Sequence, residues 1–452
     1  MTKEIFIRYV KELVLPLFTG SHIEGEDSST SRDNEVAQGA NGSMLVKPHK
    51  EDEYRLIIKR SQPFKSADIS LMQAIIYELD KINEFSITDE TYKKRLQTLA
   101  MEKAICKSLT DVSSDTLLGV IAELDGCARK TYEGHRIKFG IIINEYNNCP
   151  NKSGNLFYQN LFRNDFFCVM SNGIQSCIEI DKEGYVLGHV LFEKLRFAPT
   201  ISPFDYINVA KYCGEKRIGV ILLESGEILL FKNHELMFCK RRGVWGSYFH
   251  DEIIQLLSNR TTHTIKEIRK AIYFTALDIS FAGTGGCLVY LNKDEVENAL
   301  THIDINDIMD EKYFNLKKNQ LIEESRKLYN LGQKLPFDEN ITFDEYINLK
   351  QLNKSTCLRE CIDNRKFHEL NRKLRQEIAS VDGATIIDND GTVIAVGAIV
   401  QIEAGSSGGG RLAATKTLAK YGVAIKISAD GIMQGFIKDR KNNKIKPIFT
   451  VG

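Results

Sequence analysis

The pattern of apolar and polar positions divides the chain into a helical first part, a strand-rich middle part and a last part in which strands and helices alternate. Apolar residues recur at helical spacing from Leu71 to Ile82, and a second helix is predicted from Tyr92 to Cys106. Tyr54 to Lys59 predicts a strand, whereas the small and polar residues 20–43 predict a mobile loop. We therefore expect residues 1–114 to form a mostly helical segment.

Residues 115–262 contain short alternating runs that are typical of half-buried strands, beginning with Ile137 to Ile143. Two turn-forming pairs, Asn172-Gly173 and Ser225-Gly226, are each flanked by apolar runs and predict hairpins. The runs predicted to pair are Phe166 to Met170 with Cys177 to Ile180, and Val220 to Leu223 with Ile228 to Phe231. This part is therefore predicted to be a β-rich domain.

From residue 263 to residue 452 the pattern predicts an α/β (α+β) domain. A long helix with Ile265, Ile268 and Ile272 on one face leads to the apolar strand Cys287 to Leu291. Residues 303–360 are polar and charged, which predicts a helical insertion near this point. Strands and one further helix then alternate to the last residue, so the predicted fold class is α/β (α+β).

The composition argues against several classes of function but does not identify one. The 452-residue chain has 60 Lys and Arg residues and 60 Asp and Glu residues, so its net charge is zero and bulk nucleic-acid binding is not expected. Charged residues stud Met1 to Phe18, which argues against a signal peptide, and no apolar run approaches the roughly 20 residues of a membrane span. We expect a cytoplasmic protein that does not enter a membrane.

Cysteine, histidine and tryptophan residues add no recognisable site. The ten cysteines are scattered, and Cys357 and Cys361 have no second pair at zinc-ligand spacing, so we expect reduced structural thiols. His234 fits a turn between strands. Trp245, after two arginines, is better explained as a core or interface anchor than as a base-stacking residue.

The candidate chemistry lies in the last part of the chain. Asp382 stands immediately before a predicted strand, where its carboxylate can bind a divalent cation or accept a proton from a hydroxyl, and where Gly383 and Ala384 leave room for a ligand. A simple helix-to-strand turn explains the same residues, and a turn also explains Asp430 before Gly431.

A glycine-rich segment provides the second candidate. Gly408, Gly409 and Gly410 permit a close backbone approach to an anion at the start of the predicted helix Leu412 to Lys420. The segment is neither a Walker loop nor a dinucleotide-binding GxGxxG turn. A flexible surface turn and a phosphate cradle both remain open, as do a phosphate contact and a simple strand end for Ser428.

In order, these pieces resemble the diadenylate cyclase catalytic domain, which also occurs in the DNA-integrity-scanning protein of bacteria. That family has an Asp-Gly-Ala motif, a strand ending in an Ala-x-Gly-like sequence, a Gly-rich Arg-His-Arg motif that opens a helix, and a strand ending in Ser before acidic residues. The matching segments here are Asp382-Gly383-Ala384, Ile394-Ala395-Val396-Gly397, Gly409-Gly410-Arg411-Leu412-Ala413-Ala414 and Ile427-Ser428-Ala429-Asp430-Gly431. Ala276 to Leu291 is similar to the family's preceding helix and first strand.

The resemblance implies a mixed-sheet domain that condenses two ATP molecules into cyclic di-AMP and two pyrophosphates. It implies a homodimer or higher homo-oligomer in which two active sites face each other, each holding one ATP. It gives catalytic roles to Asp382, Gly383 and Arg411, and metal binding (Mg²⁺ or Mn²⁺) to Asp382 and Asp430. The nucleotide-binding residues that it implies are Ala384, Gly397, Gly408, Gly409, Gly410 and Ser428. It also implies a sensor or regulatory role for the region ahead of the catalytic domain.

One departure from the family leaves three functions open. Gly410-Arg411-Leu412 stands in place of the Arg-His-Arg triplet, so one arginine remains and the histidine is missing. A divergent cyclase would use Arg411 and the glycine amides instead. A degenerate domain would bind ATP or a cyclic dinucleotide without turnover, and an interaction scaffold would bind no nucleotide.

Overall fold

The computed structural model describes residues 3–27, 35–48, 54–60, 62–83, 89–146, 156–192, 198–257, 263–328, 338–349, 354–402, 409–439 and 442–452. The chain divides into two compact units. Met1–Phe249 together with Val451–Gly452 form the N-terminal unit, and His250–Thr450 form the C-terminal unit.

The N-terminal unit combines helices with two main sheets, one of four strands in the order β1-β4-β3-β2 and one of seven strands in the order β13-β12-β11-β10-β7-β8-β9. Its helices are α1 (Lys3–Tyr9), α2 (Ser66–Asn83), α3 (Glu90–Leu109), α4 (Ser114–Cys127), α5 (Tyr158–Leu161) and α6 (Ile207–Tyr212). Its strands are β1 (His22–Asp27), β2 (Val36–Gln38), β3 (Met44–Val46), β4 (Arg55–Lys59), β5 (Thr131–Tyr132), β6 (His135–Arg136), β7 (Phe139–Asn144), β8 (Ser176–Asp181), β9 (Val186–Leu191), β10 (Arg217–Leu222), β11 (Ile228–Lys232), β12 (Glu235–Arg241) and β13 (Val244–Ser247).

A large hydrophobic cluster of the described residues extends through much of this unit. Ile58 of β4, Ile76 of α2, Leu124 of α4 and Ile141 of β7 belong to the same buried cluster. Residues on both sides of the expected boundary at 114/115 therefore pack into one core. Trp245 is 2% exposed in this cluster and its Nε1 donates to Glu102 at 3.2 Å, which confirms it as a core anchor.

The predicted loop at 20–43 is wrong for the residues that the structure describes. Strands β1 and β2 lie in this segment, and residues 28–34 lie outside the described residues. Strand β1 pairs with the distant β4, and its side chains alternate between exposed and half-buried positions. A polar edge strand of this kind has the composition of a loop, because long-range pairing rather than side-chain burial holds it in place.

The predicted strand Phe166 to Met170 is also wrong. Asp165–Met170 form a 3-10 helix. Phe167 packs edge-to-face against Phe139 and Phe162, with ring centroids 5.0 and 4.7 Å apart, whereas Phe166 is 54% exposed. Phe167 therefore anchors this connection in the core. The hairpin around Ser225-Gly226 is confirmed as β10 and β11, and His234 lies in the following turn with φ 67°.

The C-terminal unit is built on a mixed six-stranded sheet in the order β16-β15-β14-β17-β18-β19. Its strands are β14 (Gly286–Leu291), β15 (Ala384–Ile387), β16 (Val393–Ala398), β17 (Gly422–Ile427), β18 (Met433–Lys438) and β19 (Ile445–Val451). Its helices are α7 (His250–Leu256), α8 (His263–Ala282), α9 (Val296–Leu300), α10 (Glu311–Leu328), α11 (Phe343–Leu349), α12 (Lys354–Ile362), α13 (Arg372–Ala379) and α14 (Gly410–Leu418). Strands β14 and β15 are parallel, and β14 is antiparallel to β17.

Helices cover both faces of this sheet. Successive side chains of β14 point to opposite faces, and neighbouring positions of this strand contact different helices. A Cβ atom at Gly286 would lie 3.3 Å from Ile279 of α8, whereas Cys287 Sγ lies 3.3 Å from Thr415 Oγ1 of α14. The predicted strand Cys287 to Leu291 and the long helix before it are confirmed. Helix α9 and helix α10, of which only α10 lies in the predicted insertion 303–360, contribute Leu300 and Phe314 to the sheet's core. The α/β class with a mixed sheet is therefore observed.

None of the helices in the described segments is long and apolar enough to cross a membrane. Each cysteine that the structure describes carries a free thiol.

Candidate functional site

The strands of the C-terminal unit bring most of the predicted residues to one edge of the sheet. Cys287 pairs with Ala384, Gly286 with Ile427, and Ala384 with Ala398. The starts of β14 and β15 and the ends of β16 and β17 therefore meet at this edge. Asp382 lies just before β15 and Ser428 just after β17, so both emerge there. We call this the Asp382 edge.

Asp382 presents an accessible carboxylate at this edge. Its side chain is 88% exposed, and its Oδ1 lies 3.6 Å from Nη2 of Arg411, whose side chain is 37% exposed. An ion pair this exposed contributes little to stability. Because the pair is weak and open to solvent, a ligand that competes for the arginine or the carboxylate can enter at low cost.

Two glycines allow the backbone to pass close beside Asp382. Gly383 has φ 108° and Gly397 has φ 60°, values that L side chains rarely adopt. A Cβ atom at Gly383 would lie 2.3 Å from the carbonyl carbon of Gly397, and one at Gly397 would lie 2.7 Å from the carbonyl oxygen of Asp382. The contact lies next to the irregular pairing of β15 with β16, whose register shifts between Ala384 and Ile387. The two glycines therefore have a demonstrable structural role, and Ala384 beside them is completely buried in the core.

Arg411 is fixed by the start of α14 and by a glycine that the sequence pattern did not single out. Gly285 has φ 71°, and a Cβ atom there would lie 2.6 Å from Nη1 of Arg411 and 3.2 Å from the amide nitrogen of Ala429. The guanidinium thus occupies space that any side chain at residue 285 would fill. Thr415 Oγ1 donates to the carbonyl of Arg411 at 2.7 Å and contacts the buried Cys287, which anchors the helix on β14. Burial raises the pKa of the Cys287 thiol to about 11, so that anchor is neutral.

The glycine-rich segment is described only in part. Gly408 lies outside the described residues. Gly409 is the N-cap of α14 with φ 83°, and the helix begins at Gly410, two residues before the predicted Leu412. Cβ atoms at Gly409 and Gly410 would meet no atom of the described residues within 4 Å. A helix start beside an arginine is a favourable place for an anion.

Ser428 and Asp430 lie in the tight turn between β17 and β18. Ser428 N donates to Ile432 O at 2.9 Å, Gly431 N donates to Ser428 O at 2.9 Å, and Asp430 Oδ1 accepts from Ile432 N at 3.4 Å. Ala429, between the two predicted residues, lies beside Gly285 and hence beside Arg411. These bonds give Asp430 a turn-forming role, and its metal-binding role stays a prediction. No group of three or more His, Cys, Asp or Glu side chains within the described ranges is arranged to hold a metal ion.

Two polar groups at this edge were missed by the sequence reasoning. Lys354 of α12 donates from Nζ to the carbonyl of Gly397, and the same Nζ lies 3.3 Å from Oδ1 of Asp307. Asp307 Oδ2 accepts from the amide of Ile399 at 3.1 Å, just beyond β16. Lys354 therefore places a second cation beside the backbone of Asp382. No local pattern predicts it, because Lys354 belongs to the polar insertion and only the fold brings it to β16.

A separate carboxylate pair lies at the other end of β15. Asp388 is 2% exposed and accepts from the Tyr313 hydroxyl and from the amides of Asp390 and Thr392 at 2.9 and 2.8 Å. Burial, and next its hydrogen bond with Asp390, raise the pKa of Asp388 to about 6. Lys366 Nζ lies 3.0 Å from Asp390 Oδ1. These hydrogen bonds build the β15–β16 turn, and we assign the pair to that structural role.

Comparisons of the chain with protein-family models, curated proteins and solved structures found no match. The Asp382 edge itself combines an open carboxylate, a guanidinium, an ammonium, a helix start and two closely packed glycines.

Proposed function

We propose that the Asp382 edge binds ATP and that the protein joins two ATP molecules into cyclic di-AMP with release of two pyrophosphates. The observation that carries the proposal is the open carboxylate of Asp382, 3.6 Å from Arg411 and at the sheet edge where α14 begins. Phosphoryl transfer needs a group that activates a hydroxyl and positive charge that holds a triphosphate, and these lie side by side here.

Arg411, Lys354 and the start of α14 would hold the triphosphate. An arginine binds phosphate oxygens through two parallel hydrogen bonds, and a helix start offers amide donors. Lys354, next to Gly397, supplies a second positive charge although the Arg-His-Arg triplet is incomplete. Gly409 and Gly410 would admit the phosphates because no other described residue lies within 4 Å of a Cβ atom at either position. Gly408 and Ser428 are further candidates for phosphate contacts, and the backbone near Ala384 and Gly397 would line the adenine pocket.

Asp382 would accept the proton of the ribose 3′-hydroxyl. Proteins commonly hold Mg²⁺ and Mn²⁺ by one or two carboxylates together with the phosphates of the substrate. Asp382 is exposed enough to be such a metal ligand. Asp430 would help to hold the same ion. When bound, the ion would offset negative charge on the triphosphate.

The reaction requires two copies of the chain. The 3′-oxygen of each ATP forms a bond to the α-phosphorus of the other, the bond to pyrophosphate breaks, and two sites must therefore face each other. We propose a homodimer or a larger homo-oligomer. Ile399, 66% exposed, and Ile402, 43% exposed, follow β16 close to the site and support an apolar contact there.

A regulatory role for residues 115–262 stays part of the proposal.

A second candidate function is nucleotide binding without turnover. It is favoured by the reduction of the family triplet to Arg411 alone and by the ion pair of Arg411 with Asp382. A carboxylate that stays paired is a poorer base than one released by the substrate. This candidate shares the binding residues and differs only in product formation.

The test is incubation of the purified chain with ATP and Mn²⁺, followed by mass spectrometry. We expect cyclic di-AMP from the wild type, none from Asp382→Asn, and none when EDTA replaces the metal. Asp294→Asn is the matched control, because Asp294 is an exposed aspartate that follows β14 at the opposite sheet edge. Product from Asp382→Asn at the wild-type rate would refute the assigned role. ATP binding without any product would favour the second candidate, and no binding would refute both.

A further inference from the structure

Two exposed thiols lie one turn apart on helix α12 and take no part in the proposed reaction. Cys357 and Cys361 are both exposed, whereas every other cysteine in the described segments is buried or half-buried. Residues four apart on a helix lie on the same face, with Cβ atoms about 5–6 Å apart. The two thiols therefore leave α12 on one side and form a pair of soft ligands that an ion can reach from solvent.

The buried thiols of the described segments differ from this pair in their chemistry. Burial raises the pKa of Cys287 to about 11 and that of Cys239 to about 12. It also raises the pKa of Cys106 and of Cys213 well above the usual value. A thiol must lose its proton to bind a metal ion, so these groups are poor ligands.

Helix α12 is fixed on the C-terminal unit by the face opposite the two thiols. Ser355 is 1% exposed, and its hydroxyl donates to the carbonyl of Asn306 at 2.7 Å. Ile362 is 4% exposed, and Arg359 lies over the ring of Phe343, 4.5 Å from its centroid. These contacts preserve the helical spacing of the thiols, so an ion binds them without the entropic cost of ordering the chain.

The helical spacing favours an ion between the two sulfurs over a disulfide bond. A disulfide needs Cβ atoms about 3.5–4.5 Å apart, which is closer than the helix places them. An ion bound to both sulfurs at about 2.3 Å holds them up to roughly 4.6 Å apart, which an intact helix permits.

The number and type of ligands favour Cu(I). Thiolates select soft ions, and Cu(I) is stable with two of them, whereas Zn²⁺ takes four ligands in structural sites. The described residues supply no third His, Cys, Asp or Glu ligand to this pair. The ligand set here is therefore two thiolates.

Nearby positive charges suit the complex, because Cu(I) with two thiolates carries one net negative charge. Arg365 donates to the carbonyls of Cys361 and Ile362 at 3.0 Å each, which offsets the partial negative charge at the end of α12. Lys354, three positions before Cys357, adds a second positive charge on the same side of the helix.

We propose that Cys357 and Cys361 together bind one Cu(I) ion. Each thiol releases its proton to solvent and forms one sulfur–copper bond, and the copper stays in the +1 state, so no oxidant or reductant is needed. This goes beyond the proposed function, because the site involves neither ATP nor the Asp382 carboxylate.

Competition for Cu(I) against the chelator bicinchoninate tests the proposal on the reduced full chain without oxygen. We expect the wild type to withdraw one Cu(I) per chain from the coloured chelator complex. Cys357→Ser and Cys361→Ser should each weaken Cu(I) binding at least about hundredfold, since the first ligand then no longer holds the ion close to a second. The double variant should bind Cu(I) no more tightly than either single variant.

Cys168→Ser is the matched control, because Cys168 is a half-buried thiol on the 3-10 helix Asp165–Met170 of the N-terminal unit. Its affinity for Cu(I) should stay within about twofold of the wild type, since the two sites are independent. No transfer of Cu(I) to the wild type, wild-type affinity in either single variant, or an equal loss in Cys168→Ser would each overturn the proposal. Thermal unfolding of each variant identifies any effect that comes from loss of folding.

Discussion

Substitution Gly383→Ala tests the backbone geometry on which the candidate site depends. Gly383 has φ 108°, which costs an alanine roughly 1–2 kcal/mol. The new Cβ atom would lie 2.3 Å from the carbonyl carbon of Gly397, well inside the contact distance of two carbon atoms. Overpacking of this kind costs about 1–3 kcal/mol, because the neighbouring atoms are backbone and cannot rotate away. The free energy of unfolding should therefore fall by about 2–5 kcal/mol.

Differential scanning calorimetry measures this loss. For a folding unit of 150–250 residues, each kcal/mol lowers the Tm by about 2–4 °C, so we expect a fall of about 4–20 °C in the transition of the C-terminal unit. Gly410→Ala is the matched control, since a Cβ atom there meets no atom of the described segments within 4 Å and alanine is favoured over glycine in a helix. A Tm within about 2 °C of the wild type for Gly383→Ala would refute the proposed close approach of the two strands.

Three further predictions follow from the C-terminal unit. Arg372→Met leaves the fully buried Asp278 without its two 2.7 Å hydrogen bonds to Arg372 and should cost about 3–5 kcal/mol in urea unfolding; a loss below about 1 kcal/mol would contradict this. Because burial raises the folded-state pKa of Asp388 to about 6 from 3.8, this carboxyl contributes stability at low pH that is lost as the pH rises from about 4 through 6. Relative to the wild type, Asp388→Asn should therefore be more stable at pH 7.5 than at pH 4.5 in thermal unfolding. An identical difference at both pH values would remove the argument. Lys354→Met should weaken ATP binding about tenfold in equilibrium dialysis, whereas the exposed Lys293→Met at the opposite edge should not; equal effects would exclude a specific role for Lys354.

The elements predicted correctly from the sequence are those with a strong local pattern. The apolar face of α8 and the continuous apolar run of β14 both identify themselves within a few residues. Strand β1 carries no such signal, because its pairing with β4 rather than its own side chains defines it. Local patterns therefore predict the buried elements of the sheets and fail for a polar edge strand.

The candidate site shows the same division between local and long-range information. Asp382 and Arg411 follow from motifs in the sequence, and the structure places them 3.6 Å apart. Lys354 approaches Gly397 across 43 positions of chain, and Gly285 leaves the space that Arg411 fills. Lys354 belongs to no local motif, and the glycine-rich run 283–286 does not by itself predict a contact with Arg411, since a single close contact between distant segments leaves no periodic pattern.

The charges at the Asp382 edge explain why the proposed reaction needs a divalent ion. Arg411 and Lys354 contribute two positive charges, and Asp382 and Asp307, each within 4 Å of one of these cations, contribute two negative charges. The side chains therefore balance one another, and the start of α14 adds only about half a positive charge. A triphosphate carries several negative charges, which this balance leaves largely uncompensated. A Mg²⁺ or Mn²⁺ ion at Asp382 would supply the missing positive charge and would also release Arg411 from its carboxylate partner. We therefore expect the proposed reaction to depend on a divalent metal ion, and this expectation is based on the charges of these side chains and not on the resemblance to a known family.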